Sequence, residues 1–249
     1  MRYALALLAA LWLTGASAQI KPAMMLPQSV APQAAGGTVT FDAKGTAACD
    51  TTSSPLTCTT LTVGTGGSNY ALVVYATYYA GAQATVLTAT WNGTSVPNVL
   101  NAYGTIQDVG VAVWCLAAPA SGNKTLSISI TASGLAEIHA IAASYTGANQ
   151  TTPCANATSY FSPSGPGTTT GTITVTSATG DIATAEFSQG QTSESGMNGT
   201  VIVINDDAGP NVDFNANYIA GAATVNLTCT ASSGTASWAI GAVDIQAAP

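Results

Sequence analysis

The chain has 249 residues, of which 6% are charged and 47% are hydrophobic, and its formal net charge is −7 at pH 7. It holds one histidine, four basic and eleven acidic residues, so a catalytic site built from several ionisable groups is not expected, and we predict that the protein is not an enzyme. Nucleic acids and anionic membranes both require clustered lysine or arginine, and the composition argues against either as a partner.

The first 18 residues have the layout of a secretory signal peptide. Arg2 supplies a positive charge, residues 3–14 are apolar, and Ala16-Ser17-Ala18 has the small-x-small form that signal peptidase accepts. We expect cleavage before Gln19 and a secreted, extracellular protein. The apolar run is shorter than the roughly 20 residues that a membrane-spanning helix needs, and no later stretch reaches that length, so no transmembrane segment is expected in the mature chain.

An all-β domain is predicted to follow a flexible arm. Residues 19–36 contain three prolines and no periodic pattern, which is typical of a flexible arm. From residue 37 onward, short β-branched runs alternate with Gly, Ser, Asn and Pro, which predicts one jelly-roll-like antiparallel β-sandwich over 37–249. The predicted strands are 38–42, 70–79, 84–91, 109–116, 125–131, 138–145, 172–176, 182–187, 201–205, 224–230 and 238–245.

Two local patterns refine this prediction. Asn92-Gly93 lies between two extended runs and predicts a type I′ hairpin turn, because both residues tolerate positive φ. The sequence also contains a weak internal repeat. Leu61-Thr62-Val63 resembles Ile173-Thr174-Val175 at an offset of 112 residues, and the segment 131–143 resembles 230–242 at an offset near 99 residues. This internal repeat has three explanations: two small domains, one sandwich with internal pseudo-symmetry, or chance similarity. We favour the pseudo-symmetric sandwich.

The succession of predicted strands resembles a broad group of bacterial and phage-associated secreted β-sandwich domains, most of them without an assigned function. The resemblance spans about residues 60–245 and depends on strand order more than on any one motif. It implies a jelly-roll-like fold and an extracellular or virion-linked setting, and it implies no catalytic residues. The segments that carry it are 69–76, 89–96, 111–119, 125–130, 140–153 and 175–183.

The chain has five cysteines, and in a secreted protein they are expected to be in an oxidising environment. Cys49 and Cys58 flank a short polar turn, which predicts a local disulfide. Cys115 and Cys229 lie in strand-like runs and are interpreted as buried free thiols. For Cys154 two possibilities stay open: a disulfide with one of these two cysteines, or a free thiol. A single histidine and the lack of a C-x-x-C motif argue against a zinc site.

Few residues offer ionic chemistry. Glu137 and His139 are two apart, so a strand would place them on one face as an acid–base pair; with no hydrolase motif beside them, we interpret them as a surface ion pair or hydrogen-bonded pair. An acidic segment over 205–213 offers closely spaced oxygens for Ca²⁺, although a solvated acidic loop is the alternative. Its candidate ligands are Asp206, Asp207 and Asp213. No other cofactor is expected.

Aromatic side chains suggest a binding function. Several of them lie in the first half of the chain, and sugar rings stack on exposed aromatic rings beside amide and hydroxyl groups. Tyr75 and Trp114 lie in apolar runs and are expected in the core. Tyr79 and Trp91 lie at strand ends, where a ring can be exposed, although packing in the core is the alternative for each ring. The residues placed for ligand binding are Tyr79, Trp91, Asn92 and Tyr103.

Together these features predict a secreted, non-catalytic binding or adhesion module that recognises a glycan or a cell-envelope surface. The first alternative is a structural subunit of a virion or an extracellular assembly, in which the arm and the strand edges contact neighbouring copies in a homo-oligomer. A secreted hydrolase is the third possibility.

Overall fold

The structure is a computed structural model of the chain. It describes residues 36–45, 49–64, 69–104, 108–162, 170–190, 196–205, 212–230 and 238–249. The predicted signal peptide and all but the last residue of the predicted arm lie outside these ranges. Residues Ala34–Pro249 form one compact unit. Within the described ranges, no helix is long and apolar enough to cross a membrane.

The described residues form 18 β-strands. The strands of the first half are β1 (Thr40–Lys44), β2 (Cys49–Thr51), β3 (Leu56–Val63), β4 (Ala71–Tyr79), β5 (Val86–Trp91), β6 (Thr94–Val96), β7 (Asn98–Gly104), β8 (Val109–Ala117), β9 (Gly122–Thr131) and β10 (Glu137–Thr146). The strands of the second half are β11 (Cys154–Phe161), β12 (Thr170–Thr176), β13 (Ile182–Gly190), β14 (Gly196–Met197), β15 (Thr200–Asn205), β16 (Val212–Ala220), β17 (Thr224–Thr230) and β18 (Trp238–Ile245).

These strands assemble into four antiparallel sheets among the described residues, two in each half. In the first half, the inner sheet has the order β1-β10-β4-β8-β7, with β2 also paired to β10, and the outer sheet has the order β3-β9-β5-β6. In the second half, the inner sheet has the order β11-β18-β13-β16-β15 and the outer sheet has the order β12-β17-β14. The predicted all-β, antiparallel sandwich fold is confirmed.

Seven strands of the first half have a counterpart at the matching sheet position in the second half. In the inner sheets β1 matches β11, β10 matches β18, β4 matches β13, β8 matches β16 and β7 matches β15; in the outer sheets β9 matches β17 and β3 matches β12. The two parts of the internal repeat, at offsets of 112 and 99, fall on these equivalent strands. Each half is therefore a two-sheet sandwich, and both sandwiches belong to one compact unit.

The central strands of the inner sheets are buried on both of their faces. Along β4, Val74 and Tyr78 pack toward the first outer sheet, whereas Val73 and Tyr75 pack toward the second half. Along β18, Trp238 and other alternate residues pack toward the second outer sheet, while their neighbours join the contact between halves. The layers thus run outer, inner, inner, outer, and the inner strands read as continuous apolar runs because both sides are covered.

The outer sheets have one buried face and one exposed face. On β9 the side chains of Leu126, Ile128 and Ile130 are buried. The hydroxyl residues between them point outward, and β12 and β17 show the same alternation of buried and exposed positions.

The predicted hairpin is found between β5 and β6. Asn92 has a φ of 51° and Gly93 has a φ of 81°, and Trp91 pairs with Thr94 across the turn. Two successive positive φ angles are those of the type I′ turn, so this prediction is confirmed.

Two disulfides cross between layers. Cys49–Cys58 joins β2 to β3, and so links the inner and outer sheets of the first half. Cys115–Cys154 joins β8 to β11, with a Cα–Cα distance of 6.2 Å, and so links the two halves. The interpretation of Cys115 as a free thiol is wrong, because its side chain faces the second half, where Cys154 packs against the same cluster.

Cys229 is the free cysteine, and it is buried among the side chains between the second inner and outer sheets. Burial raises the pKa of its thiol to about 12, so the reactive thiolate is scarce at neutral pH.

Gly171 provides a test of the packing in the second half. A Cβ added there would overlap the Trp238 ring, whereas a Cβ at Gly196 in the same sheet meets nothing within 4 Å. We expect Gly171→Ala to lower the free energy of unfolding by about 1–3 kcal/mol, the usual cost of overpacking. The matched control, Gly196→Ala, should change it by no more than about 0.5 kcal/mol. Urea denaturation measures both, and equal effects would contradict the packing described.

Candidate functional site

The predicted aromatic site does not form. Trp91 is fully buried between the first outer and inner sheets, and its Nε1 donates a hydrogen bond to the carbonyl of Ala120 at 2.7 Å. The placement of Trp91 for ligand binding is wrong and the alternative of core packing is found, because Trp91 has the same parity along β5 as the buried Ala89, so the alternation of the strand directs its ring inward.

The other three residues placed for ligand binding do not share a surface. Asn92 is exposed in the hairpin turn of the outer sheet, but Tyr79 and Tyr103 belong to the inner sheet and are half-buried. Tyr103 packs toward the first outer sheet and stacks on Tyr78 with ring centroids 6.1 Å apart, whereas Tyr79 packs on the opposite side of the sheet. The hydroxyl of Tyr103 is hydrogen-bonded to the Ala80 carbonyl, and it also lies 3.1 Å from Asp108 Oδ1.

The proposed calcium ligands lie mostly outside the described residues. Asp206 and Asp207 are not described, and of Asp213 only the backbone is described, which pairs with Gln189 within β16 and β13. Among the residues that the structure describes, no group of three His, Cys, Asp or Glu side chains is placed to hold a metal ion. The calcium site stays a prediction.

Glu137 and His139 form a pair, but not at the surface. His139 Nε2 lies 2.9 Å from Glu137 Oε1, and both residues are buried on β10. The expected surface location is wrong, because β10 belongs to an inner sheet that is covered on both faces.

A hydroxyl network joins the two halves. Tyr75 Oη lies 2.8 Å from Tyr145 Oη and 2.7 Å from Thr184 Oγ1, so a first-half phenol bonds to a second-half threonine. Thr184 Oγ1 in turn donates to the carbonyl of Asn217 at 2.8 Å. Burial raises the pKa of both phenols, which therefore remain protonated and able to donate.

Among the residues that the structure describes, Glu186 is the fully buried carboxyl in the middle of the contact between the halves. It lies at the centre of β13, and its side chain is enclosed by the facing inner sheet near the backbone amides of Ala76 and Ala112. Burial raises its pKa well above the ordinary value, and the two amides oppose this shift only in part. The arrangement favours a neutral carboxyl, and none of these enclosed groups is exposed to a ligand.

A regular polar surface lies on the second outer sheet. We call it the threonine face, and its eight positions are seven threonines and one asparagine, so it carries no charge. Its members, which form four cross-strand rows on β12 and β17, are Thr170 with Thr230, Thr172 with Thr228, Thr174 with Asn226, and Thr176 with Thr224. Seven of the eight are exposed, and Thr228 is half-buried.

The two central rows of the threonine face are hydrogen-bonded across the strands. Thr172 Oγ1 lies 3.0 Å from Thr228 Oγ1, and Thr174 Oγ1 donates to Asn226 Oδ1 at 2.8 Å. Rows lie about 7 Å apart along the strands, because two residues of a strand rise that far, and the columns lie about 4.8 Å apart. The face is therefore a regular grid of neutral donors and acceptors about 20 Å long.

A similar surface covers the first outer sheet. A row of hydroxyl residues crosses four strands there, from Thr57 through Ser127 and Thr90 to Ser95. Ser129 pairs with Thr88 in the next row. We call this the first-half hydroxyl face, and its members are Thr57, Thr88, Thr90, Ser95, Thr125, Ser127, Ser129 and Thr131.

Neither face was singled out as a site from the sequence. The signal is nonetheless visible as threonine at every second position of 170–176 and, with one asparagine, of 224–230. In the sequence alone, this alternation indicates only a strand with one solvent-exposed face. The register of β12 against β17 is needed to show that the two runs lie side by side on one surface.

Comparisons with family models, with curated proteins and with solved structures return no match for this chain. The resemblance to secreted bacterial and phage-associated sandwich domains therefore stays an interpretation of the sequence.

Burial of Trp91 predicts a large stability effect. Trp91→Ala should lower the free energy of unfolding by about 3–5 kcal/mol, the usual cost of emptying a core aromatic site. Val86→Ala, at a 48% exposed position of the same strand, is the control and should cost well under this amount. Urea denaturation followed by circular dichroism measures both; an unaltered stability for Trp91→Ala would show that the ring is exposed after all.

Glu186 predicts a pH dependence of stability. Because the pKa of Glu186 is raised, the folded state binds this proton more tightly than the unfolded state does. The contribution of the Glu186 proton to the free energy of unfolding is therefore complete below the unfolded pKa near 4.5, and it is lost as the pH rises toward the folded pKa. We expect Glu186→Gln to match the wild type at low pH. Above the unfolded pKa, the Glu186→Gln variant should become more stable than the wild type, and the difference should grow by at most about 1.4 kcal/mol per pH unit. Unfolding free energies measured by urea titration across this range test it, and a difference that stays constant with pH would contradict it.

Proposed function

We propose that the protein is a secreted, non-catalytic binding module that attaches to a neutral, hydroxyl-rich polysaccharide surface, and that the threonine face is the surface it uses. The observation that carries this proposal is the grid of seven threonines and one asparagine on β12 and β17. The proposed site replaces the set built around Trp91, whose ring is in the core.

The chemistry of the grid suits a neutral polysaccharide. A hydroxyl donates one hydrogen bond and accepts two, and the asparagine amide does both, so the face matches the mixed donors and acceptors of sugar hydroxyls. A charged ligand would find no counter-charge on these eight positions. The threonine methyl groups add an apolar component to each contact.

The face is also preorganised. Threonine has a restricted χ1 because it is branched at Cβ, and the cross-strand bonds of Thr172 and Thr174 restrict it further. Side chains that are already ordered lose little entropy on binding, which favours affinity from many weak contacts.

Burial of the described glutamates supports the non-catalytic part of the proposal. Glu137 and Glu186 are enclosed within the inner layers, so neither presents a carboxyl to a bound chain. The two disulfides suit the oxidising compartment that the signal-like N-terminus predicts.

Retention on insoluble polysaccharides tests the proposal. Purified protein is sedimented with particles of cellulose, chitin and curdlan, and we expect retention on at least one of them. The triple variant Thr172→Val, Thr174→Val and Thr228→Val keeps side-chain shape while removing three hydroxyls, and its affinity should fall at least about tenfold, since each hydrogen bond contributes around 1 kcal/mol.

Two controls accompany this measurement. Serine at the same three positions keeps the hydroxyls and should retain much of the binding, and Thr152→Val removes an exposed hydroxyl outside both faces and should leave binding unchanged. Unchanged binding by the triple valine variant would overturn the choice of face. Ordered oligomers in light scattering, with no retention on any particle, would favour the structural-subunit alternative instead.

A further inference from the structure

The hydroxyl pattern of the outer sheets is kept in both halves of the repeat. The outward residues of β9 are Thr125, Ser127, Ser129 and Thr131, and those of β17, 99 positions later, are Thr224, Asn226, Thr228 and Thr230. The inward residues between them match as well, since Ile128 and Leu227 are both buried in the cores of their own halves.

The two outer faces point in opposite directions. Each outer sheet packs its inward side chains on its own inner sheet, and the inner sheets pack on each other through residues such as Tyr75 and Phe214. Packed sheets lie about 10 Å apart, so the outer sheets are separated by about 30 Å across the four layers. A flat surface bound to one face leaves the other face free.

The two faces are held in a fixed relation. The Cys115–Cys154 disulfide joins the halves covalently, and Tyr75 bonds to Thr184 between them. Phe41 of the first half stacks on Tyr218 of the second, with centroids 5.2 Å apart and planes at 7°. These contacts lie in the middle of the layered unit, so the faces cannot fold back onto one surface.

We infer that the protein is divalent: the first-half hydroxyl face is a second binding surface for the same class of neutral polysaccharide, and one molecule bridges two polysaccharide surfaces. This inference rests on the proposed function of the threonine face. It adds a cross-linking activity, which a module with one binding face does not have.

Agglutination of polysaccharide particles tests the inference. Suspensions of cellulose, chitin and curdlan particles are mixed with protein shown to be monomeric by light scattering, and clustering is followed by turbidity and microscopy. The wild type should cluster the particles that retain it. Clustering should rise with protein concentration and fall again in excess protein, because saturated surfaces leave no free sites to bridge.

Variants of each face separate binding from bridging. One variant combines Thr57→Val, Thr88→Val and Thr125→Val, all at exposed positions of the first-half hydroxyl face. The other is the triple valine variant of the threonine face. The threonine-face variant should still sediment through the first-half hydroxyl face, at its reduced affinity, and the first-half variant should sediment through the threonine face. Each variant alone should need at least about tenfold more protein than the wild type to cluster the particles. A mixture of the two variants should not restore clustering, because neither molecule has two working faces.

The outcomes distinguish the inference from the proposed function. Wild-type protein that binds the particles without clustering them at any concentration would overturn divalency and leave the proposed function intact. Full clustering by the Thr57, Thr88 and Thr125 variant would also overturn it. Wild-type protein that fails to bind any particle would overturn the proposed function itself. Serine at the same positions, which should preserve clustering, shows whether the hydroxyls are responsible.

Discussion

The contact between the two inner sheets imposes the main constraint on this molecule. Every residue of β18 and eight of the nine in β4 are buried, because these strands have a packed layer on each side. Polar groups admitted there must be satisfied or uncharged, as the phenols of Tyr75 and Tyr145 are through their bonds to each other and to Thr184. Burial in the same contact raises the pKa of the Glu186 carboxyl, which favours its neutral form.

Double burial also explains the composition. With two of the four layers closed to water on both sides, the outer sheets and the strand edges must provide most of the solvent-facing surface. On those sheets threonine and serine keep the strands hydrated while favouring the extended conformation. A chain with 6% charged residues and a mean hydropathy of +0.32 can therefore be a folded unit with a polar exterior.

Local patterns in the sequence predicted the parts of the fold that local physics determines. The eleven predicted strands and the Asn92-Gly93 turn follow from alternation and turn chemistry. Seven of the described strands, among them β3, β7, β11 and β16, were not predicted. In β16, Asn215 and Asn217 are residues typical of loops, although both are buried and the Asn217 amide donates to the carbonyls of Met197 and Asn198. The Cys115–Cys154 bond and the threonine grid depend on how distant strands align, which no local pattern encodes. The inward direction of Trp91 follows instead from its parity with Ala89 along β5, a local signal that its position beside the turn outweighed in the prediction.

The matching order of the two inner sheets has a consequence for how the contact between the halves can vary. Tyr75 is the fifth residue of nine in β4, and Glu186 is the fifth of nine in β13, so the same structural position holds a phenol in one half and a carboxyl in the other. Beside them, Ile141 pairs with Tyr75 and Gly241 pairs with Glu186. In a symmetric dimer of identical subunits, each substitution would appear twice and face its own copy. Joining both copies in one polypeptide removes that restriction, so the two sides of the contact can specialise separately within a single gene product.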